Sequence, residues 1–126
     1  METSGTRAGA TLLRMDSTRL AIPNACYDLV LLFFLLHEQP KADRFKTMAE
    51  AMRVTKPGGK IVVVDYARPR WWNPLGYLLA LMLALFEPFA FDLWRGEGWV
   101  PKDGATQNTR YFGGMFQKTV ITRAPA

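Results

Sequence analysis

Two apolar runs separated by a helical segment constrain this chain more than any other feature. Residues 27–36 are almost continuously apolar, and residues 60–66 form a second run that is rich in valine. Such runs are typical of strands that are buried on both faces of a parallel sheet. The sequence therefore predicts two parallel strands whose side chains are buried on both sides.

Between the two runs the apolar period becomes that of a helix. Apolar residues of the segment 41–55 share one stripe, and its charged residues lie mostly on the other side. The stripe consists of Phe45, Met48, Ala49 and Met52. The helix should stop at residues 56–59 (KPGG), because proline cannot continue it and glycine allows the chain to reverse. A strand–helix–strand unit is a crossover between parallel strands, and ligands of such sheets bind beyond the carboxyl ends of the strands.

The remaining segments predict a short strand, an apolar helix and a hairpin. We expect the strand at residues 11–14 and the hairpin at residues 106–122, with Gly113 and Gly114 as its turn. Residues 73–93 are apolar on every side of a helix, and tryptophan and arginine residues flank them. This pattern is typical of a helix that contacts a lipid-like phase. Residues 71–95 should thus be an apolar helical lid within one partial domain, residues 1–126.

Composition and charge exclude several classes of protein. The 126 residues are 49% hydrophobic and 21% charged, which excludes a disordered tail. A single cysteine, Cys26, and a single histidine exclude a disulfide framework and a multi-histidine metal centre; we expect Cys26 to be a buried structural thiol. The net charge of +5 is scattered, so no nucleic-acid partner is expected, whereas an anionic membrane surface suits it. The polar start of the chain lacks a signal peptide, so we expect a cytoplasmic protein that attaches peripherally to the inner membrane.

Several stretches resemble class I S-adenosylmethionine (SAM) methyltransferases. Residues 27–31, 36–40 and 53–65 are similar to the fourth and fifth strands of that family, and residues 15–17 are similar to the loop after its third strand. The most specific short signal is KPGG before a valine-rich strand. The resemblance covers residues 11–67 and implies a Rossmann-like α/β sheet, closed by a C-terminal β-hairpin.

A narrower resemblance is to the methyltransferase-like proteins of rhodoquinone biosynthesis. It is carried by residues 33–40, 87–90, 92–94 and 112–118. It implies SAM as the cofactor, a lipid-soluble quinone as the substrate and the exchange of a quinone methoxy group for an amine. Two alternatives stay open: a SAM-dependent methyltransferase of another small molecule, and a truncated membrane-surface or dimerisation module without catalysis.

The chain departs from this family at its start. The N-terminal strands, the glycine-rich loop that holds the methionine end of SAM and the acid that holds its ribose cannot be placed in the sequence. In the family the first strand lies beside the fourth, so without it residues 29–33 should form an open apolar edge. We expect the missing N-terminal half, or a partner chain, to cover that edge. We also expect the 126-residue chain alone to bind SAM poorly.

The resemblance implies four cofactor-binding residues, which are Asp16, Ser17, Phe33 and Phe34. Asp16 and Ser17 would meet the adenine ring through a carboxylate and a backbone N–H, although both residue types are also common in turns. Phe33 and Phe34 would form an apolar wall beside the cofactor or the quinone, and core packing explains Phe34 equally well.

Two adjacent residues are the candidate catalytic groups. His37 follows a predicted strand, where an imidazole can act as a general base or a metal ligand near neutral pH. Glu38 can ligate a divalent metal, Mn²⁺ or Mg²⁺. The simpler explanation of the pair is the start of a helix, which favours an acidic side chain.

Four residues are candidates for substrate binding: Tyr66, Arg68, Trp71 and Tyr111. Tyr66 or Arg68 could donate a hydrogen bond to a quinone carbonyl, after a strand whose last acid, Asp65, we interpret as structural. Trp71 is either a membrane-interface anchor or part of the packing of the lid. Tyr111 is also explained by cross-strand pairing in the hairpin.

Overall fold

The computed structural model of the protein describes residues 2–7, 9–67, 71–86 and 105–125. In chain order its elements are β1 (Glu2–Arg7), β2 (Ala10–Arg14), β3 (Tyr27–Phe33), a 3₁₀ turn (Leu36–Glu38), α1 (Lys41–Val54), β4 (Thr55–Tyr66), α2 (Pro74–Phe86), β5 (Ala105–Tyr111) and β6 (Phe116–Thr122). β1 and β2 form an antiparallel ribbon, and the other strands form a four-stranded sheet in the order β3-β4-β6-β5. The expected α/β class is confirmed.

The strand–helix–strand unit is the centre of this architecture. β3 pairs in parallel with β4, in a register that places Val30 beside Ile61 and Phe33 beside Val64. β6 then runs antiparallel to both β4 and β5. The predicted parallel strands and the closing hairpin are therefore confirmed.

The core lies on one face of the sheet, under α1. Its fully buried apolar side chains are Leu36, Met48, Ala51, Ile61, Val63 and Ile121. Val30 and Leu32 of β3 pack against this core. Because alternate residues of a strand point to opposite faces, the intervening residues of β3 face away from α1.

The prediction that β3 is buried on both faces is wrong. Leu29, Leu31 and Phe33 are 59%, 58% and 64% exposed. The reason is topological, since β3 is an edge strand of the sheet and none of the described helices covers its outer face. The expected open apolar edge at residues 29–33 is confirmed for the described part of the chain.

Other predictions differ in detail. The polar segment Glu2–Arg7 forms a strand that the sequence did not predict, and Cys26 is exposed rather than buried. The hairpin loop has four residues, 112–115, instead of two. The helix predicted at 73–93 is described only as Pro74–Phe86, and its C-terminal remainder, with Trp94 and Arg95, lies outside the described residues.

α2 begins on the hairpin loop and leaves most of its surface exposed. The Oδ1 atom of Asn73 accepts a hydrogen bond from the backbone of Leu75 at 3.1 Å, and its amide donates to the carbonyls of Phe112 and Gly113. On α2 the buried residues are Gly76 and Leu83. Large apolar side chains cover the rest, among them Leu75, Tyr77, Leu78, Leu81, Leu85 and Phe86. No helix in the described ranges combines the length and apolarity that a bilayer span requires.

Candidate active site

Aromatic side chains converge where β3 and β4 end and β6 begins. We call Phe33, Phe34, His37, Tyr66, Phe112 and Phe116 the aromatic cluster. The ring centroids of Phe34 and Tyr66 are 5.2 Å apart, and those of His37 and Tyr66 are 4.9 Å apart. Phe34 also meets Phe116 edge-on at 5.9 Å. Tilted and edge-to-face contacts at these distances are the favourable geometries for aromatic rings.

The backbone at Phe34 sets up this cluster. Its φ of +50° is in the left-handed region, which non-glycine residues rarely adopt. Its N–H donates to the carbonyl of Val64 at 2.7 Å, so the last bond of the parallel ladder is kept while the chain turns away. The Phe34 ring is thereby placed against β4, and the following 3₁₀ turn carries His37 to the carboxyl end of the sheet.

His37 and Asp65 form a buried pair within the cluster. The Nδ1 atom of His37 lies 2.8 Å from Oδ1 of Asp65, and both side chains are almost fully buried. The ring N–H direction is not aligned for a hydrogen bond, so the contact is primarily electrostatic. Asp65 also accepts backbone N–H bonds from His37 at 3.1 Å and from Tyr66 at 2.8 Å. Burial raises the pKa of the Asp65 carboxyl, and the Tyr66 N–H and His37 oppose this rise.

Glu38 lies on the solvent side of this pair. Its Oε1 atom is 3.9 Å from Nε2 of His37, and its side chain is 58% exposed. His37 therefore has one nitrogen toward a buried carboxylate and the other toward an exposed one. Among the described residues no three histidine, cysteine or acidic side chains are grouped to hold a metal ion, and both Asp65 oxygens already accept backbone N–H groups. This donor set does not fit Mn²⁺ or Mg²⁺.

The two predicted adenine contacts lie in a turn that packs beside this segment. Oδ1 of Asp16 accepts hydrogen bonds from the hydroxyl and the backbone N–H of Thr18, which lower the pKa of the carboxyl. The Ser17 hydroxyl lies 3.1 Å from that of Thr47 and accepts from the Gln39 amide at 3.0 Å. Ser17 thus links the loop after β2 to the chain that follows the catalytic candidates.

The predicted substrate-binding residues fall in different places. Tyr66 lies in the aromatic cluster, and Tyr111 is paired in register with Phe116 at the same end of the sheet. Trp71 is 84% exposed, and its carbonyl accepts a hydrogen bond from Tyr77. Arg68 lies outside the described residues. The sequence did not single out Phe116, and it gave Asp65 a structural role only, although its position after the strand next to that of His37 was a usable signal.

The chain fits SAM only in part. The connection from β3 to α1, residues 34–40, contains no glycine. Gly58 and Gly59 lie at the start of β4, where a Cβ on Gly59 would come within 2.9 Å of the Asp28 carbonyl. The KPGG segment is thus a close-packed structural element rather than a cofactor loop. The described residues offer exposed and clustered aromatic side chains and the turn at Asp16 and Ser17, but no glycine-rich loop for the methionine end of SAM.

Comparison with known proteins agrees with this geometry. Residues 2–63 match the family described as "Methyltransferase domain". The ubiquinone/menaquinone biosynthesis C-methyltransferase UbiE of Ralstonia pickettii (strain 12J) is 38% identical over 60 residues, which are 48% of this chain and 23% of that protein. The demethylmenaquinone methyltransferase of Renibacterium salmoninarum is 41% identical over 56 residues, 43% of this chain and 22% of that protein.

Solved structures extend the likeness beyond the matched segment. Human N-acetylserotonin methyltransferase in complex with SAM superposes with a TM-score of 0.60 at 15% identity, over 96% of this chain and 36% of that one. Identity this low shows the fold alone. The predicted Rossmann-like methyltransferase fold is confirmed, and the chain spans about a quarter of the length of its curated relatives.

Proposed function

We propose that this chain provides the substrate-side half of a SAM-dependent methyltransferase that acts on a quinone or quinol. The observation that carries the proposal is the buried His37–Asp65 pair inside the aromatic cluster, at the carboxyl end of two parallel strands. Proteins similar to the matched segment are named for methylation in quinone biosynthesis, which supports a quinone-type acceptor.

The chemistry assigns a role to each group. SAM, when bound, supplies a methyl group that is activated by its sulfonium charge. Phe33 and Phe34 form the apolar wall, and Tyr66 and Arg68 are the polar contacts to the acceptor ring. His37 takes the proton that the acceptor loses, and alignment of the two reactants supplies much of the remaining rate. Asp16 and Ser17 hold the adenine side.

We propose that the part of the domain that binds the methionine end of SAM docks on the unpaired edge of β3 and on the exposed apolar face beside it. Leu29, Leu31 and Phe33 expose an apolar face there, and the strand is free on one side among the described strands. Antiparallel pairing with a second copy would satisfy the edge but leave these side chains exposed, since a two-fold axis perpendicular to the sheet keeps them on one side. A strand that pairs with β3, followed by a helix that packs on the exposed face, would cover both the edge and these side chains. We assign this occupant to the N-terminal half of the domain, in the same polypeptide or in a partner chain.

We also propose where in the cell the protein acts and which quinone it uses. The exposed apolar surface of α2, with Trp71 and Trp72 before it, suits peripheral attachment to the cytoplasmic side of the inner membrane, where lipid-soluble quinones reside. The resemblance of residues 33–40 and 112–118 to rhodoquinone-biosynthesis proteins supports a different reaction in the same pocket, in which an amine from a donor molecule replaces a methoxy group of ubiquinone to give rhodoquinone. No step through a metal is proposed, because the donor set does not fit one.

A reconstitution experiment tests the catalytic proposal. The chain is mixed with the N-terminal part of the R. pickettii relative, and labelled methyl transfer from SAM to demethylmenaquinol in detergent is measured. We expect transfer by the mixture and none by either part. His37→Gln should lower kcat by about 10²–10⁴-fold, whereas Asp28→Asn, at the other end of β3, should not. A bound, folded mixture without transfer contradicts the proposal; incubation with ubiquinone and an amine donor tests for rhodoquinone.

The exposed surface of α2 favours one competing function, that of a membrane-surface module without catalysis. Flotation with anionic liposomes, measured together with methyl transfer by the reconstituted mixture, distinguishes the two. Both proposals predict flotation that is lost in the Trp71→Ala, Trp72→Ala double variant. Only the module predicts that the reconstituted mixture stays inactive while flotation is intact.

A further inference from the structure

One contact of Asp65 requires a carboxylate and could not be made by a neutral acceptor at the end of β4. It is 1% exposed, and removing a carboxylate from water costs several kcal/mol unless it is paired and hydrogen-bonded. The two backbone N–H bonds from His37 and Tyr66 would be satisfied equally by neutral acceptors. The contact that requires a carboxylate is the one to Nδ1 of His37, at 2.8 Å.

This contact determines how His37 carries its proton. An ionised Oδ1 2.8 Å from an unprotonated Nδ1 would bring two electron-rich atoms into close contact, so a proton on Nδ1, with its positive partial charge, is favoured electrostatically. The opposing influence is Glu38, 3.9 Å from Nε2 and largely in water. Because charge interactions are stronger at short range and in the interior, Asp65 outweighs Glu38.

We propose that Asp65 is a positioning residue that holds His37 in its Nδ1–H form and so makes Nε2 the proton-accepting atom of the site. This rests on the proposed function and extends it. When the acceptor forms its bond to the methyl group, the bond between that methyl group and the donor sulfur would break and leave its electron pair on the sulfur. The acceptor's O–H or C–H bond also breaks, and that electron pair stays with the acceptor. The proton moves to Nε2, and Asp65 balances the imidazolium charge. The proton then leaves on the Nε2 side, where Glu38 faces water.

The surrounding groups fix the ring without competing for its protons. Tyr66 of β4 packs against the imidazole at an interplanar angle of 80°, and Phe34 does the same from 6.3 Å. Arg44 of α1 donates from its Nε to the Leu36 carbonyl, one residue before His37. Within the part of the chain that the structure describes, the acidic groups that contact the His37 ring are Asp65 and Glu38.

The experiment is ¹⁵N NMR of the imidazole, and it is unambiguous because His37 is the only histidine in the chain. In the unmodified chain, above the pH at which the ring is charged, we expect the Nδ1–H tautomer to predominate. Asp65→Asn should lower the ratio of Nδ1–H to Nε2–H about tenfold or more, because the neutral amide removes the negative charge that lies beside Nδ1 in the interior. The matched variant Glu38→Gln should leave the ratio unchanged or raise it.

Two results would overturn the proposal: an Nε2–H tautomer in the unmodified chain, which places the proton on Asp65, or equal ratios with and without the Asp65 carboxylate. If Asp65→Asn does not fold, the tautomer of the unmodified chain decides by itself. The tautomer that NMR measures does not depend on whether the protein is catalytically active. An Nδ1–H tautomer beside an inactive reconstituted mixture supports the assignment to Asp65 while refuting the methyl-transfer function.

Discussion

The two faces of the four-stranded sheet carry similar apolar residues, but one face is covered by a helix and the other is exposed along the free edge. The face under α1 buries Ile61, Val63 and Ile121 completely. The opposite face exposes Leu29, Leu31 and Phe33 along the free edge. Leucine and valine on both sides show that both faces are built for burial, so the difference lies in the covering layer. Among the described residues, α1 covers one face of the sheet, and the other face is left open along the free edge of β3.

The largest effect should come from truncating matched side chains on the two faces. Ile61→Ala removes a fully buried side chain and should cost about 2–5 kcal/mol in the free energy of unfolding. Leu31→Ala, one strand away on the bare face, should change it by less than about 0.5 kcal/mol. Urea denaturation measures both. Equal losses in the free energy of unfolding for the two variants would mean that the face with Leu31 is covered in solution.

A second comparison contrasts two adjacent glycines at the junction of α1 and β4. A Cβ on Gly59 would lie 2.8 Å from the Lys56 carbonyl and 2.9 Å from that of Asp28, so Gly59→Ala should cost about 1–3 kcal/mol by overpacking. Gly58 has open space but a φ of +77°, so Gly58→Ala should cost about 1 kcal/mol through backbone strain. Thermal unfolding ranks the two variants; the reverse order would contradict the packing of β3 against the KPGG segment.

A smaller effect is expected where α2 begins. Asn73 bonds both the first turn of α2 and the hairpin loop, so Asn73→Ala should cost about 1 kcal/mol of helix stability. Asn73→Asp keeps the acceptor for the Leu75 N–H and removes the donor to the loop. It should therefore preserve the helix, measured by circular dichroism, and loosen the hairpin, measured by amide exchange.

The smallest effect concerns the tether between α1 and the loop that precedes β3. Hydrogen bonds from Arg53 and the backbone of Leu20 lower the pKa of Glu50 to about 2, below its ordinary 4.5. A depressed pKa means that the contribution is complete above pH 4.5 and is lost as the pH falls through about 2. The protection factor of the Leu20 amide, which corrects for the intrinsic pH dependence of exchange, should fall over that interval and should stay constant in Glu50→Gln. A fall that begins near neutrality would contradict the assignment.

Local patterns and distant contacts differ in how far the sequence could predict them. Apolar periodicity is local, so β3, α1 and β4 were predicted from it. The burial of β3 was predicted wrongly, because β3 is an edge strand and no described element covers its outer face. β1 carries no apolar alternation, and its strand character depends on pairing with β2.

The site required the fold. His37 and Asp65 are 28 residues apart, and their contact depends on the β3–β4 register and on the left-handed turn at Phe34. Neither the register nor the turn can be predicted from residue types alone. Phe34 and Tyr66 could be chosen as site residues from their place at strand ends, whereas Phe116 enters the cluster through the antiparallel pairing of β6 with β4.

Isothermal titration with SAM tests most directly whether the bare face marks an incomplete donor site. The 126-residue chain alone should give no measurable heat of binding, and addition of the N-terminal part of the R. pickettii relative should produce binding together with amide protection along β3. Tight SAM binding by the isolated chain would contradict the account, because the cofactor would then be held without any partner on that face.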